Sequence, residues 1–218
     1  MHVVIPLFDR FTALDAVGPY EVLSRLPGAD VVFAAAEEGP VRADTGQLAI
    51  VADRRLDAIE SCDVLVVPGG PGTRALMVGG PLTDWVARIH PTTTWTTSVC
   101  TGSLVLGGAG LLAGLEAATH WSAADLLESF GARYTARRVV FEGKIVTAAG
   151  VSAGIDMALT LAARLAGEDV ARAIQLAIEY DPQPPFDSGS PTKAGPQTVA
   201  AVRRALAASA PAPAVRVS

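Results

Sequence analysis

Cys100 stands where the chain changes character. The residues before it, Thr92 to Val99 (TTTWTTSV), are β-branched, aromatic or small and suit a buried strand. After it, Thr101-Gly102-Ser103 gives way to Leu104-Val105-Leu106 and the opening of a helix. A cysteine on such a strand-to-helix turn faces the first helical N–H groups and the positive end of the helix dipole, a field that favours thiolate over thiol. A thiol so activated is a nucleophile at neutral pH. The competing reading is a buried cysteine packing as a small apolar group. Its position, matching the nucleophile elbow of serine hydrolases, favours the nucleophile.

Two other stretches contain partners for that nucleophile. Pro68-Gly69-Gly70-Pro71-Gly72 must be a loop at a strand's carboxyl end. Gly69 and Gly70 could turn their N–H groups toward charge forming beside Cys100, and the Thr101 N–H would be a second donor, together an oxyanion-hole candidate. As a tight turn the loop needs no function, and without a Gly-Lys-Ser/Thr ending it is not a phosphate loop. Asp15, in Thr12-Ala13-Leu14-Asp15-Ala16-Val17-Gly18-Pro19, lies at the presumed start of a helix. It either complements the helix dipole or sits beside the thiol as a buried carboxyl of raised pKa that can move a proton. His120 is the expected base for a cysteine, yet no local spacing ties it to Cys100; His120 and Trp121 either line the pocket or pack. His2 and His90 read as structural or exposed, and Cys62 as inert packing.

The elements that must position these residues alternate. Strands are predicted at His2–Phe8, Ala29–Ala36, Asp63–Pro68 and Thr92–Val99, with a fragment at Ala117–Trp121. A hairpin is expected over Val41–Val51 and paired strands over Arg133–Ala148, around Glu142-Gly143. Helices are predicted at Thr12–Leu26, Leu82–Ile89, from Cys100 to Leu112, after a Ser122 cap, at Gly150–Leu165 (buried nearly all round), Glu168–Tyr180 and Gln197–Ala208. The fold class this implies is a flavodoxin-like or Rossmann-like three-layer α/β sandwich, with a mostly parallel central sheet whose strand ends carry the site. Residues 1–195 are expected to form one domain, followed at 196–218 by a helix and a disordered Ala/Pro tail.

Composition bounds the partners. Among 218 residues, half hydrophobic, the net charge is −5 and no Lys/Arg cluster offers a surface for nucleic acid. No apolar run is long enough to cross a bilayer, and the chain opens on strand residues, so no membrane association and a cytoplasmic location are expected. Two cysteines without metal-ligand spacing imply reduced thiols and no bound metal.

At these motifs the sequence resembles the ThiJ/PfpI superfamily, relatives of the glutamine amidotransferase fold. The resemblance rests on Leu14-Asp15-Ala16-Val17-Gly18-Pro19-Tyr20-Glu21-Val22, Val66-Val67-Pro68-Gly69-Gly70-Pro71-Gly72, Ser98-Val99-Cys100-Thr101-Gly102-Ser103 and Ala118-Thr119-His120-Trp121. The peptidase-like and glyoxalase-like branches have His after the nucleophile and Glu as the acid, where this chain has Thr101 and Asp15. With the strip Gln175–Gly189, these residues look instead like the isocyanide hydratase branch. That resemblance implies a cofactor-independent homodimer adding water to an isocyanide to give an N-substituted formamide. It casts Cys100 and Asp15 as the reacting pair, with Gly70 and Thr101 fixing their surroundings and His120 and Trp121 toward the substrate. The rivals are a glyoxalase- or deglycase-like hydrolase of reactive carbonyls, an oxidation sensor at Cys100, and a regulator of the AraC type. For the last, the roughly 20 residues after Pro196 are too few for a helix-turn-helix domain.

Overall fold

The computed structural model describes residues 1–209. The Ala/Pro tail expected to be disordered lies, at 210–218, outside the described residues. In chain order the strands are β1 (His2–Pro6), β2 (Asp30–Ala35), β3 (Gly39–Arg42), β4 (Ala49–Ala52), β5 (Arg54–Arg55), β6 (Val64–Val67), β7 (Trp95–Val99), β8 (Glu116–Ala117), β9 (Arg133–Tyr134), β10 (Val139–Glu142) and β11 (Ile145–Ala148). The helices are α1 (Ala13–Leu23), α2 (Thr73–Leu76), α3 (Pro81–Ile89), α4 (Gly102–Gly108), α5 (Ala124–Glu128), α6 (Ala153–Ala166), α7 (Glu168–Ala177) and α8 (Pro196–Ser209).

Among the described residues, seven strands form one sheet in the order β10-β11-β7-β6-β1-β2-β5, parallel except for the antiparallel edge strand β10. The runs VVIP of β1, VLVV of β6 and IVTA of β11 are buried throughout, as strands covered on both faces must be. Helices α1, α6 and α7 pack together in one layer; α4 packs with α2, α3 and α5 in the other. The result is the expected three-layer α/β sandwich.

Several boundaries differ from the sequence reading for local reasons. The strand expected from Thr92 starts at Trp95. Pro91 opens a short 3-10 turn at His90–Thr92, where the Thr92 and Thr93 hydroxyls donate to the Ile89 and His90 carbonyls, both at 2.9 Å. The fragment expected at Ala117–Trp121 keeps strand pairing only at Glu116–Ala117, because Thr119 and His120 are drawn into other contacts. Ser122 does not cap α5, which follows Ala123 without a side-chain cap; it lies in a short 3-10 turn, Trp121–Ala123, whose cap is the His120 side chain accepting from the Ser122 N–H. Helix α6 is not buried all round: Ala153, Gly154, Met157, Ala158, Leu161 and Ala162 face inward, whereas Thr160 and Arg164 are exposed. The glycine-rich stretch Pro68–Gly72 is a loop as expected, and the short helix α2 that follows it was not anticipated.

The start of α4 is pressed against the end of β6. A Cβ at Gly102 would lie 2.1 Å from the Val67 carbonyl oxygen and 2.9 Å from that of Pro68, both backbone atoms that cannot step aside. Only glycine lets the helix open this close to the neighbouring strand. Gly102→Ala is expected to lower stability by about 2–4 kcal/mol, seen as a reduced denaturation midpoint in urea; an unchanged midpoint would contradict this packing.

Candidate active site

Cys100 terminates β7 with φ = 57°, in the left-handed region, which costs a residue with a Cβ on the order of 1–2 kcal/mol. Four hydrogen bonds hold it there. Its N–H is shared between the carbonyls of Ala148 (3.1 Å) and Ala149 (3.0 Å), and its carbonyl accepts from Ser103 Oγ and Thr119 Oγ1, both at 3.1 Å. Sequence reasoning gave neither hydroxyl this role. Ser103 sits three residues after the elbow, a spacing from which a hydroxyl reaches back to the turn carbonyl, but Thr119 arrives from a distant segment with no local signal.

Three loops converge on the elbow, as the sequence implies. The Thr12 N–H donates to the Gly69 carbonyl (2.8 Å), joining the start of α1 to the glycine loop. Gly69 N–H donates to Asp15 Oδ2 (2.9 Å), and Gly70 N–H donates to Thr101 Oγ1 (2.9 Å). The fit is tight: a Cβ at Gly69 would lie 2.5 Å from the Thr101 nitrogen and 2.8 Å from Asp15 Oδ2. Both glycine N–H groups are thus committed to protein acceptors rather than to a charge forming at Cys100, which corrects the oxyanion-hole expectation for this loop. The Thr101 hydroxyl, itself buried, also donates to the Gly70 carbonyl at 3.2 Å and locks the loop to the elbow.

Asp15 is fully buried. Its Oδ1 has neither amide nor hydroxyl partner, and the Cys100 thiol faces the carboxyl. Burial raises the Asp15 pKa from 3.8 to about 7; the Gly69 N–H and the thiol pull it down, and the charge of Asp44 pushes it up. Asp44 accepts from the Thr12 hydroxyl at 2.7 Å.

The thiol departs from expectation. Burial, reinforced by the Asp15 charge, raises the Cys100 pKa well above its ordinary value, and the N–H groups of Val151 and Thr101 offset this only in part. With Cys100 only 5% exposed, desolvation outweighs the field of the short helix α4. The resting pair therefore keeps a proton on sulfur, beside a carboxyl able to hold or release one near neutrality. The Val151 donor was missed from sequence. Val151 sits at φ = 32°, unusual for a β-branched residue and invisible in a run of small residues.

His120 lies alongside the same loop. A Cβ at Gly150 would fall 2.7 Å from His120 Cδ2, so the ring rests on the backbone next to Val151. Its Nδ1 lies 2.8 Å from Ser122 Oγ, and no hydrogen bond joins it to Cys100 among the described residues. Burial and the charge of Arg74 lower its pKa, so the ring is neutral. Trp121 packs at 5.5 Å from His120, with the Arg203 guanidinium of α8 over its ring at 5.1 Å. His2 lies 3.2 Å from the Ser61 carbonyl, and His90 is bonded to Thr96. Cys62 is buried far along the chain from this cluster, its pKa pushed up to about 12 by desolvation. A separate cavity of about 930 Å³, lined by residues including Phe8, Val41, Leu56 and Trp85, involves none of the Cys100 cluster. Among the described residues no group of three His, Cys, Asp or Glu side chains is placed to hold a metal ion, and no helix is long and apolar enough to cross a membrane.

A parallel three-layer sandwich with a cysteine elbow against a buried carboxyl defines the class: the chain belongs to the DJ-1/PfpI family, whose model matches residues 1–164. Within it, the chain is 44% identical over 203 residues to the isonitrile hydratase of Pseudomonas putida, spanning 93% of this chain and 89% of that enzyme. It is 32% identical to the HTH-type transcriptional regulator CdhR of Pseudomonas aeruginosa over 81% of this chain, but spans only about half (53%) of that regulator. Among solved structures, a THiJ/PfpI family protein from Pseudomonas syringae superposes with a TM-score of 0.91 at 37% identity, covering 95% of this chain and 86% of the other. Drosophila melanogaster DJ-1beta, at 21% identity and a TM-score of 0.74, shares the fold.

The raised Asp15 pKa has a definite sign in stability. Between 3.8 and about 7 the native carboxyl holds a proton that the unfolded chain has released, so stability falls as pH rises through that window. Asp15→Asn removes this slope. Relative to the wild type, the variant is expected to gain on the order of 2–4 kcal/mol between pH 4 and pH 8, read from urea unfolding at each pH. Parallel profiles would contradict the buried carboxyl's shift.

Proposed function

We propose that this protein is an isocyanide hydratase, a cofactor-independent carbon–nitrogen hydro-lyase that adds water to R–N≡C to give R–NH–CHO. The observation that carries the reading is the elbow thiol of Cys100 facing the otherwise unpartnered oxygen of Asp15. The 44% identity to the Pseudomonas putida isonitrile hydratase over nearly the whole of both chains supports it.

A protonated thiol suits this chemistry, because the terminal carbon of an isocyanide takes up both a nucleophile and a proton. The Cys100 sulfur bonds to that carbon while the thiol proton passes through Asp15 to the same carbon, giving the thioimidate R–N=CH–S–Cys. Water then adds to the carbon. Asp15 takes a proton from the water and passes it to the nitrogen, and the intermediate is R–NH–CH(OH)–S–Cys. Cleavage of the carbon–sulfur bond releases the formamide and returns a proton to sulfur. Asp15 acts first as acid and then as base, a double role that a carboxyl titrating near 7 can perform.

The neighbours hold this pair in register. Gly69 N–H fixes the carboxyl, Thr101 ties the glycine loop to the elbow through Gly70, and the N–H groups of Val151 and Thr101 steady the sulfur. We assign His120, whose ring rests on the Gly150 backbone beside Val151, and its neighbour Trp121 to the substrate side. The carbonyl-hydrolase reading requires a histidine partner for Cys100, and His120 is instead bonded to Ser122. The homodimer belongs to the same proposal: Leu176, Phe186 and Val202 are exposed apolar side chains of the C-terminal segments, suited to burial against a second copy.

Formamide production from p-nitrophenyl isocyanide tests the reading. Wild-type turnover is expected, with Cys100→Ala lowering kcat/KM at least about a thousandfold and Asp15→Ala at least about a hundredfold. Rates within tenfold of wild type in either variant would remove the mechanism, and no wild-type turnover would remove the activity.

A further inference from the structure

Arg74, in the four-residue helix that follows the glycine loop, takes no part in the chemistry above. Its side chain is half-buried, and its Nη1 is fully buried without a hydrogen-bond partner. An unpaired guanidinium nitrogen shut away from water is costly, and a guanidinium cannot escape that cost by losing its proton. The surrounding segment is otherwise well satisfied: the Thr73 hydroxyl donates to the Gly70 carbonyl at 2.7 Å, and the Arg74 N–H donates to the Pro71 carbonyl. The buried Asp15 and the half-buried Asp44 of the site region are engaged elsewhere, with Gly69 and Thr12 respectively. The guanidinium nevertheless lies within electrostatic reach of both the Cys100 sulfur and the His120 ring.

We propose that Arg74 is a substrate-specificity residue that receives a carboxylate carried by the small electrophile reacting at Cys100. A planar guanidinium donates two parallel N–H bonds to a carboxylate, and such charge-assisted pairs are strong where water is excluded. On the hydratase reading, on which the identity of the electrophile rests, the preferred substrate is an isocyanide whose nitrogen-bearing carbon also bears a carboxylate. The product is then an N-formyl amino acid. Cys100 and Asp15 perform the chemistry, and Arg74 decides which isocyanide is presented to them.

The recognition can be tested without turnover. Iodoacetate and iodoacetamide are close in size and differ in charge, and each alkylates a cysteine by displacement of iodide. Their rates at Cys100, followed by intact mass, give a ratio from which the intrinsic reactivity of the thiol cancels. Arg74→Met is expected to reduce the iodoacetate-to-iodoacetamide ratio by about 10- to 100-fold, with Arg74→Lys in between. If both rates fall together, Arg74 merely tunes the thiol and the proposal is overturned. Should the variant fail to fold, protection of wild-type Cys100 from iodoacetamide by millimolar acetate, compared with chloride, decides the matter; equal protection overturns it. In turnover, isocyanoacetate should exceed its methyl ester in kcat/KM by at least about tenfold, a preference lost in Arg74→Met. If wild type hydrates both equally, the anion site is refuted and the hydratase stands. If neither isocyanide reacts while the iodoacetate bias persists, the hydratase fails and the anion site stands.

Discussion

Everything at this site depends on one contact, the buried Cys100 thiol facing the buried Asp15 carboxyl, a pair able to share a proton. Neither group is what it would be in solution. Desolvation raises both pKa values, and each carries the other's charge as a further perturbation. A thiol alone would be a poor nucleophile and a buried carboxylate alone a costly charge; together they form a unit in which deprotonating one group is coupled to protonating the other. That coupling suits an addition in which sulfur and proton arrive at the same carbon.

The fold supplies the confinement. The loops after β1, β6 and β7 meet where the parallel strands end, joined by the backbone bond from Thr12 to Gly69 and by backbone-to-side-chain bonds from Gly69 to Asp15 and Gly70 to Thr101, while Ser103 and the more distant Thr119 hold the Cys100 carbonyl. Glycine at 69 and 102 is a steric requirement of these approaches, since a Cβ would meet backbone atoms at both. The strained φ of Cys100 persists because its N–H and carbonyl are both doubly engaged, so the elbow is held by the packing around it rather than by its own preference.

Much of this was legible in the sequence. The apolar runs of β1, β6 and β11 give parallel buried strands directly, and the break at Cys100 gives the elbow. Asp15 among apolar neighbours at a helix start was legible in two ways, and its burial accords with the carboxyl of raised pKa beside the thiol. What could not be read depends on segments brought together only by the fold. Val151 supplies an N–H from a backbone conformation its side chain disfavours, Thr119 leaves its strand to clamp the elbow, and Gly70 spends its N–H on Thr101. The thiol's pKa was misread for a related reason. A helix terminus is a local feature visible in sequence, whereas desolvation and the facing carboxylate are tertiary, and here they win.

The most direct measurement is the thiolate absorbance at 240 nm as a function of pH, in the wild type and in Asp15→Asn. Cys62, pushed up to about 12, stays silent over the working range. The shared-proton account predicts no Cys100 thiolate in the wild type at pH 7, and its appearance at distinctly lower pH once the Asp15 charge is removed. A wild-type thiolate already formed at pH 7, or a titration that Asp15→Asn leaves in place, would contradict it.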